Sequence, residues 1–189
     1  MATITKAAAL AGAALLLHAC SGETAENEDE AAEVSSATLA SLVSDADGLS
    51  TVSDVLGEAG LSQVFDGAAS YTLFAPQDAA FEKLGEAGDE LRSAEERPAM
   101  VAILRDHIVP GYLTPADIAN AIEAADDGSV EMRTMGAHTL TFTGEGETIT
   151  VTSEDGASAR FAGDALRASN GVAIPLDGVL KKVTEAPAG

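Results

Sequence analysis

The sequence predicts a domain of the α+β class, and three observations lead to this prediction. Between residues 37 and 122, apolar side chains recur mostly three and four residues apart, which is helical spacing. After Gly128 the period changes to two, the spacing of half-buried strands. The two patterns follow one another instead of alternating, so a regular β–α–β arrangement is not expected.

Two helices are predicted at the start of this domain. Apolar residues at helical spacing cover residues 37–46, and a second stripe runs toward Gly60. Ser50 or Ser53 is the predicted cap of the second helix, because a side-chain oxygen at that position can accept hydrogen bonds from unpaired backbone amides. Residues 61–65 predict one further helical turn.

A compact, β-prone run over residues 71–75 predicts a buried strand. Pro76 would stop this strand, because proline cannot donate a backbone hydrogen bond. Asp78 follows, and the sequence predicts that it caps a helix running through Leu84.

Prolines mark the next two predicted helices. Pro98 is expected in the first turn of a helix that reaches Ile108, where its missing N–H costs nothing, and residues 109–111 would end that helix. Thr114 is predicted to cap another helix, with Pro115 at its first position.

The last third of the chain predicts strands separated by turns. Glycines and acidic residues interrupt the alternating stretches, as hairpin connections do. Asn170–Gly171 predicts a tight turn that requires a positive φ. The predicted strands are residues 129–135, 139–143, 148–153, a short 159–161, and 172–174 continuing toward 178–180.

The chain is strongly acidic. It carries 31 Asp and Glu against 10 Lys and Arg. Lys6 is the only one of these charged residues before Cys20, so the chain from Cys20 onward has a formal net charge of −22. A polyanion of this kind repels nucleic acids, and we expect no nucleic-acid partner. Two interpretations remain open: a solvated surface that resists aggregation, or attraction to cations and basic partners.

The first nineteen residues predict an export signal. Lys6 precedes an apolar stretch, residues 7–17, which is too short to span a bilayer. The following Leu-His-Ala-Cys20 resembles the bacterial lipobox, in which the cysteine is acylated and becomes the new N-terminus. Two or three acyl chains would anchor the protein stably to a membrane. The alternative is an ordinary cleaved signal with a chance cysteine, or a buried structural thiol.

These features divide the chain into four predicted parts. Residues 1–19 form the lipoprotein signal peptide, 20–36 an acidic disordered tether, 37–184 the folded domain and 185–189 a tail. The predicted location is the cell envelope. Ser21, rather than Asp, follows the cysteine, which favours the outer membrane in a host with two membranes.

Three stretches of the domain resemble the signature of the fasciclin (FAS1) family. Residues 72–81, TLFAPQDAAF, are similar to the first family motif; Gln77 stands where Ser or Thr is usual. Residues 103–111, ILRDHIVPG, resemble the central motif, with Asp106 where Tyr or Asn is frequent. Residues 168–180, ASNGVAIPLDGVL, are similar to the last motif, although the usual His is missing.

The resemblance implies a small β-wedge or sandwich with several helices packed around it. It also implies a role in adhesion or extracellular interaction, without enzymatic activity. Phe74 would fill the core together with Phe81. The candidate interaction residues taken from the motifs are Phe74, Pro76, Asp78, His107, Pro110, Asn170, Gly171 and Asp177, and the lipidation site is Cys20.

No catalytic residue, metal site or cofactor is predicted. His107 and His138 are the only histidines after Cys20, and neither belongs to an H-E-x-x-H zinc motif. No G-x-S-x-G nucleophile motif is present. His107 lies in a strongly apolar stretch and is interpreted as a hydrogen-bonded core residue, since buried polar groups must find partners.

The sequence therefore predicts a lipid-anchored, non-enzymatic module for adhesion, or for binding an envelope protein, an extracellular protein or a glycan. The partner itself is not identified. The alternative is a carrier or sensor of a small apolar ligand held between sheet and helices. An enzyme that uses His107 or a pair of acids is the third and least favoured hypothesis.

Overall fold

A computed structural model describes residues 34–182 except 66, 68, 137 and 147. The predicted signal peptide, Cys20, most of the tether and the C-terminal tail lie outside the described residues. The helices are α1 (Leu39–Asp45), α2 (Ser50–Glu58), α3 (Ser62–Phe65), α4 (Asp78–Glu82), α5 (Glu86–Leu91), α6 (Arg97–Asp106) and α7 (Pro115–Ala124). The strands are β1 (Tyr71–Pro76), β2 (Ile108–Pro110), β3 (Ser129–Arg133), β4 (Thr139–Glu145), β5 (Thr148–Ser153), β6 (Ser158–Arg160), β7 (Leu166–Ala168) and β8 (Gly171–Leu176).

The first sheet has the strand order β2-β1-β8-β7. Its two central strands, β1 and β8, run parallel, with Tyr71 opposite Gly171 and Pro76 opposite Leu176. Both outer strands are antiparallel to their neighbours. All the elements from α4 to β7 lie between β1 and β8 in sequence, so a long connection closes this central pair.

The central strands are buried on both faces. Leu73 and Ala173 pack into an apolar cluster with α1, α2 and α6. Phe74 and Ile174 point the other way, into a second cluster with α7 and the second sheet. Burial on both faces explains why these segments read as continuous apolar runs without alternation.

The second sheet is an antiparallel meander in the order β3-β4-β5-β6. One face carries Leu140 and Phe142 into the second cluster, while Thr141 and Thr143 alternate with them on the other face. The Phe74 and Phe142 rings, one from each sheet, have centroids 4.9 Å apart. The structure thus confirms the α+β class and the two-sheet arrangement with helices packed around it.

Several boundaries differ from the predictions. Residues 108–110, predicted as the end of a helix and its stop, form β2, because Thr72 and Leu73 of β1 pair with them. The short elements α5 and β7 were not predicted. The expected strand at 178–180 is not a strand. The helix predicted through Leu84 ends at Glu82. In the part of the chain described here, no helix combines the length and apolarity that crossing a bilayer requires.

Gly171 is needed for close approach, and the prediction of a positive φ at this position was wrong. A Cβ atom at residue 171 would lie 2.4 Å from the carbonyl oxygen of Tyr71 and 2.9 Å from Cδ2 of Leu39. The start of the parallel pair and α1 can therefore approach each other only because residue 171 has no side chain.

His107 joins three parts of the fold. It is fully buried directly after α6, and its Nδ1 lies 2.8 Å from the carbonyl oxygen of Ile103. The backbone amide of Leu180 donates to its Nε2 at 3.0 Å. This pair of partners fits a neutral imidazole that carries its proton on Nδ1. The carbonyl of His107 also accepts from the amide of Phe74. These contacts agree with the interpretation of His107 as a core histidine.

We expect Gly171→Ala to lower the free energy of unfolding by about 1–3 kcal/mol, because the added methyl group would overlap backbone that the sheet holds in place. Gly57→Ala is the matched control. Gly57 is exposed on α2, and a Cβ there meets nothing within 4 Å. The control should gain about 0.5–1 kcal/mol. Urea unfolding of both variants tests this, and similar effects in the two would contradict it.

His107 should also make stability depend on pH. Burial lowers its pKa to about 4, from an ordinary value of 6.5. As the pH falls below 6.5, His107 becomes protonated in the unfolded chain, whereas in the folded chain it stays neutral until about pH 4. The folded state therefore loses stability relative to the unfolded state between these two pH values. The free energy of unfolding of wild type minus that of His107→Gln should therefore decrease by about 1 kcal/mol for each unit by which the pH falls from 6.5 to about 4.

His138→Gln provides a control with the opposite sign. A hydrogen bond with Asp106 raises the pKa of His138. The stability that this interaction gives to the folded state is therefore fully present below pH 6.5 and is lost as the pH rises through the raised pKa. Urea unfolding at several pH values measures both differences. A difference between wild type and His107→Gln that stays constant from pH 4 to 7 would refute the prediction.

Candidate functional site

The three family-like motifs meet on adjacent strands. The first motif supplies β1, the central motif supplies β2, and the last motif supplies β8. Thr72 pairs with Val109 on one side and with Val172 on the other. Segments that are far apart in sequence therefore become neighbours in the centre of the domain.

Most of the candidate residues from these motifs have internal contacts. Phe74, Pro76, His107 and Gly171 are buried, while Asp78, Asn170 and Asp177 are half-buried. Pro110, at the end of β2, is exposed. The buried members do not present a surface to a partner in this structure. The half-buried members use their side chains to bind backbone groups elsewhere in the chain.

Asp78 caps α2 rather than α4, which corrects the prediction. Its carboxylate accepts hydrogen bonds from the backbone amide of Ser50 at 3.1 Å, the hydroxyl of Ser50 at 2.7 Å and the amide of Thr51 at 2.8 Å. Neither Ser50 nor Ser53 is the N-cap of α2, and the N-cap of α4 is Gln77. Burial alone would raise the pKa of Asp78, but the hydrogen bonds from Thr51 and Ser50 together lower it.

Asn170 and Asp177 act in a similar way at the two ends of β8. The side-chain oxygen of Asn170 accepts from the amide of Leu39, at the start of α1, at 2.8 Å. Its side-chain nitrogen donates to the carbonyl of Phe65. Asp177 accepts from the amide of Arg160 at 2.7 Å. The polar motif residues thus attach helices and the second sheet to the central strands.

A different group of residues forms an accessible cleft of about 250 Å³. It lies where the end of α6, the β3–β4 connection, the β5–β6 turn and the segment after β8 come together. The sequence feature that could have indicated this cleft was Asp106, because it replaces the Tyr or Asn that is frequent in the central motif. The cleft, as a site, was not predicted. Its lining residues are Asp106, His138, Leu140, Ser153, Glu154, Asp155, Leu180 and Lys181.

A histidine–carboxylate pair lies on one side of the cleft. Nδ1 of His138 is 2.7 Å from Oδ1 of Asp106, and the hydroxyl of Thr134 can donate either to the carbonyl oxygen of His138 at 3.0 Å or to Oδ1 of Asp106 at 3.4 Å. The Asp106 side chain is 17% exposed and that of His138 is 56% exposed. Gly136 makes room for this pair, because a Cβ at that residue would overlap the Asp106 carboxylate.

Asp155 organises another part of the lining. It accepts from the hydroxyl of Ser153 at 2.7 Å and from the amide of Lys182 at 3.1 Å, and it pairs with the ammonium of Lys181 at 3.1 Å. Burial opposes ionisation, but these hydrogen bonds hold the pKa of Asp155 well below its usual range. Glu154 accepts from the amide of Thr139 at 2.8 Å.

The arrangement is suited to binding rather than to nucleophilic catalysis. Among the described residues, Ser153 donates to Asp155 or to the carbonyl of Ala157 and makes no hydrogen bond with His138, so a serine triad is not assembled. No group of three or more His, Cys, Asp or Glu side chains between residues 34 and 182, outside the four gaps, is arranged to hold a metal ion.

Comparisons with known proteins agree with this architecture. The chain is similar in structure to a FAS1 domain pair from the insect cell adhesion molecule fasciclin I, with a TM-score of 0.66 and 17% sequence identity. The match covers 77% of this chain and 51% of that one, so this chain spans about half its length. No curated protein matches the sequence. A family model described as the fasciclin domain matches residues 47–182, and the chain therefore belongs to the fasciclin (FAS1) domain family.

Proposed function

We propose that this protein is a lipid-anchored, non-enzymatic binding module that mediates adhesion at the cell envelope. The observation that carries the proposal is the fasciclin domain at residues 47–182. Domains of this family are generally adhesion or binding modules, and they are typically extracellular or secreted. The similar insect structure comes from a cell adhesion molecule.

The N-terminal sequence supports the anchor. A basic residue, an apolar stretch and Leu-His-Ala-Cys20 occur in the order that bacterial lipoprotein signals require. The acidic segment that follows, residues 20–36, contains little that could be buried and is suited to holding the domain away from a membrane. The partner is then a protein or glycan of the envelope or the extracellular medium.

The surface supports binding through polar contacts. Val34 is the one large hydrophobic residue that is exposed in the described part of the chain. The cleft is lined by two leucines and six polar or charged residues, so a ligand there can form hydrogen bonds or ion pairs as well as apolar contacts. His107 is buried with both ring nitrogens bound to backbone groups, which leaves it unsuited to act as a general base.

We expect a labelled fragment of residues 37–189 to bind saturably to cells of the producing organism or to their extracellular polymers. Unlabelled fragment should compete, because a specific module has a limited number of sites. Flow cytometry with increasing competitor measures this. If a fragment that is folded by circular dichroism shows no saturable binding, adhesion is not its function.

We expect Cys20→Ser to release the full chain from the membrane fraction, because the serine cannot form the thioether that carries the lipid. Incorporation of labelled palmitate, together with membrane fractionation, measures the change. Ser21→Ala is the matched control and should stay lipidated, because it leaves the acylated residue intact. Labelling that persists in Cys20→Ser would contradict anchoring at this residue.

A further inference from the structure

The cleft at Asp106, His138, Glu154 and Lys181 combines an apolar floor with two carboxylates, each of which has an oxygen that can still accept hydrogen bonds. We propose that it binds the side chain of an arginine or lysine from a basic polypeptide partner, with arginine preferred. This inference rests on the binding role proposed above and names the chemistry of the partner.

The first support is the set of acceptors in the cleft. Oδ1 of Asp106 pairs with Nδ1 of His138, and Oε1 of Glu154 accepts from the amide of Thr139. Within the described residues no hydrogen bond reaches the second oxygen of either carboxylate. A guanidinium group carries five N–H donors in a planar fork, so it can bond to two carboxylates at once.

The second support is charge. Lys181 pairs with Asp155, so these two side chains largely cancel each other. Asp106 and Glu154 then give the lining an excess of two negative charges when His138 is neutral. The net charge of the whole chain, −21, would attract a basic partner over longer distances and speed the encounter.

The third support is the shape and polarity of the floor. Most of the surface that lines the cleft is apolar, and because Leu140 and Leu180 are almost fully buried, it comes mainly from the carbon atoms of the other lining side chains. The aliphatic stem of an arginine or lysine can pack on such a surface while its charged end reaches the carboxylates. A volume of about 250 Å³ suits one side chain rather than a folded element.

A second cleft, of about 310 Å³, does not offer the same chemistry. It is lined by Asp54 and Glu58, but also by Arg92 and Arg97. Nε of Arg97 already lies 2.5 Å from the Glu58 carboxylate, and Arg92 pairs with Asp89. The two acidic residues and the two arginines of this lining cancel in formal charge, so the second cleft has no excess negative charge to attract a cation.

His138 should make binding depend on pH. The charged groups that act on it are Asp106, Glu154 and Lys181. The hydrogen bond with Asp106 raises the pKa of His138, and below that pKa the imidazolium competes with a bound cation for the same carboxylates. Affinity for a basic side chain should therefore increase as the pH rises through this pKa.

The test uses the full chain in nonionic detergent and a dye-labelled peptide of alternating glycine and arginine, with fluorescence anisotropy as the readout. Glu154→Gln should weaken binding about twofold to fivefold, within the range of one exposed charge pair. Its amide oxygen can still accept from Thr139, so the fold should be retained. Glu123→Gln, exposed on α7, removes the same charge elsewhere and should change affinity less than about 1.5-fold.

Three results would overturn the inference. Equal weakening in Glu154→Gln and Glu123→Gln would mean that only the overall charge attracts the peptide. Equal affinity for a peptide with citrulline in place of arginine would exclude recognition of the cation. Equal affinity for N-acetylargininamide alone would identify the ligand as a small free cation. Affinity that rises from pH 6 to 8.5 in wild type, but not in His138→Gln, would support the cleft.

This outcome is separable from that of the adhesion experiment. If residues 37–189 bind cells saturably but the arginine peptide does not bind, only the proposed role of the cleft is refuted. Peptide binding that depends on Glu154, without any cell binding, would retain the cleft as a site for basic side chains and remove the adhesive role.

Discussion

The parallel pairing of β1 with β8 is the constraint on which the rest of the structure depends. It joins strands about a hundred residues apart and places them side by side in the middle of the first sheet. The residues that flank the pair then attach the other elements. Asn170, just before β8, binds the start of α1, and Asp78, just after β1, binds the start of α2. Asp177, just after β8, binds the second sheet.

This arrangement explains the chemistry of the family motifs in this chain. Burial on both faces of β1 and β8 demands apolar side chains such as Phe74 and Ile174. The polar residues among them, such as Asn170 and His107, satisfy backbone groups that would otherwise be buried without partners. Such residues stabilise one geometry of the central strands.

The cleft combines two motif residues, Asp106 and Leu180, with residues that lie outside the motifs. Its residues come from four separate segments, and these meet because His107 and Asp155 hold the chain after β8 against the rest of the domain. In the described part of the chain so few large hydrophobic residues are exposed that charge would be the main source of selectivity in the proposed binding. Lipid attachment and an acidic tether would place this polar surface where a basic partner can reach it.

The sequence by itself determined those features of the protein that depend on residues close together in the chain. The cap at Thr114 with Pro115, the alternation in β4 and β5, and the motif order follow from neighbouring residues. Tertiary structure alone decided the rest. Asp78 caps a helix 28 residues away, and a three-residue strand such as β7 forms because β8 is beside it. Sequence spacing has no rule for contacts of this kind, since they depend on how the chain folds back in three dimensions.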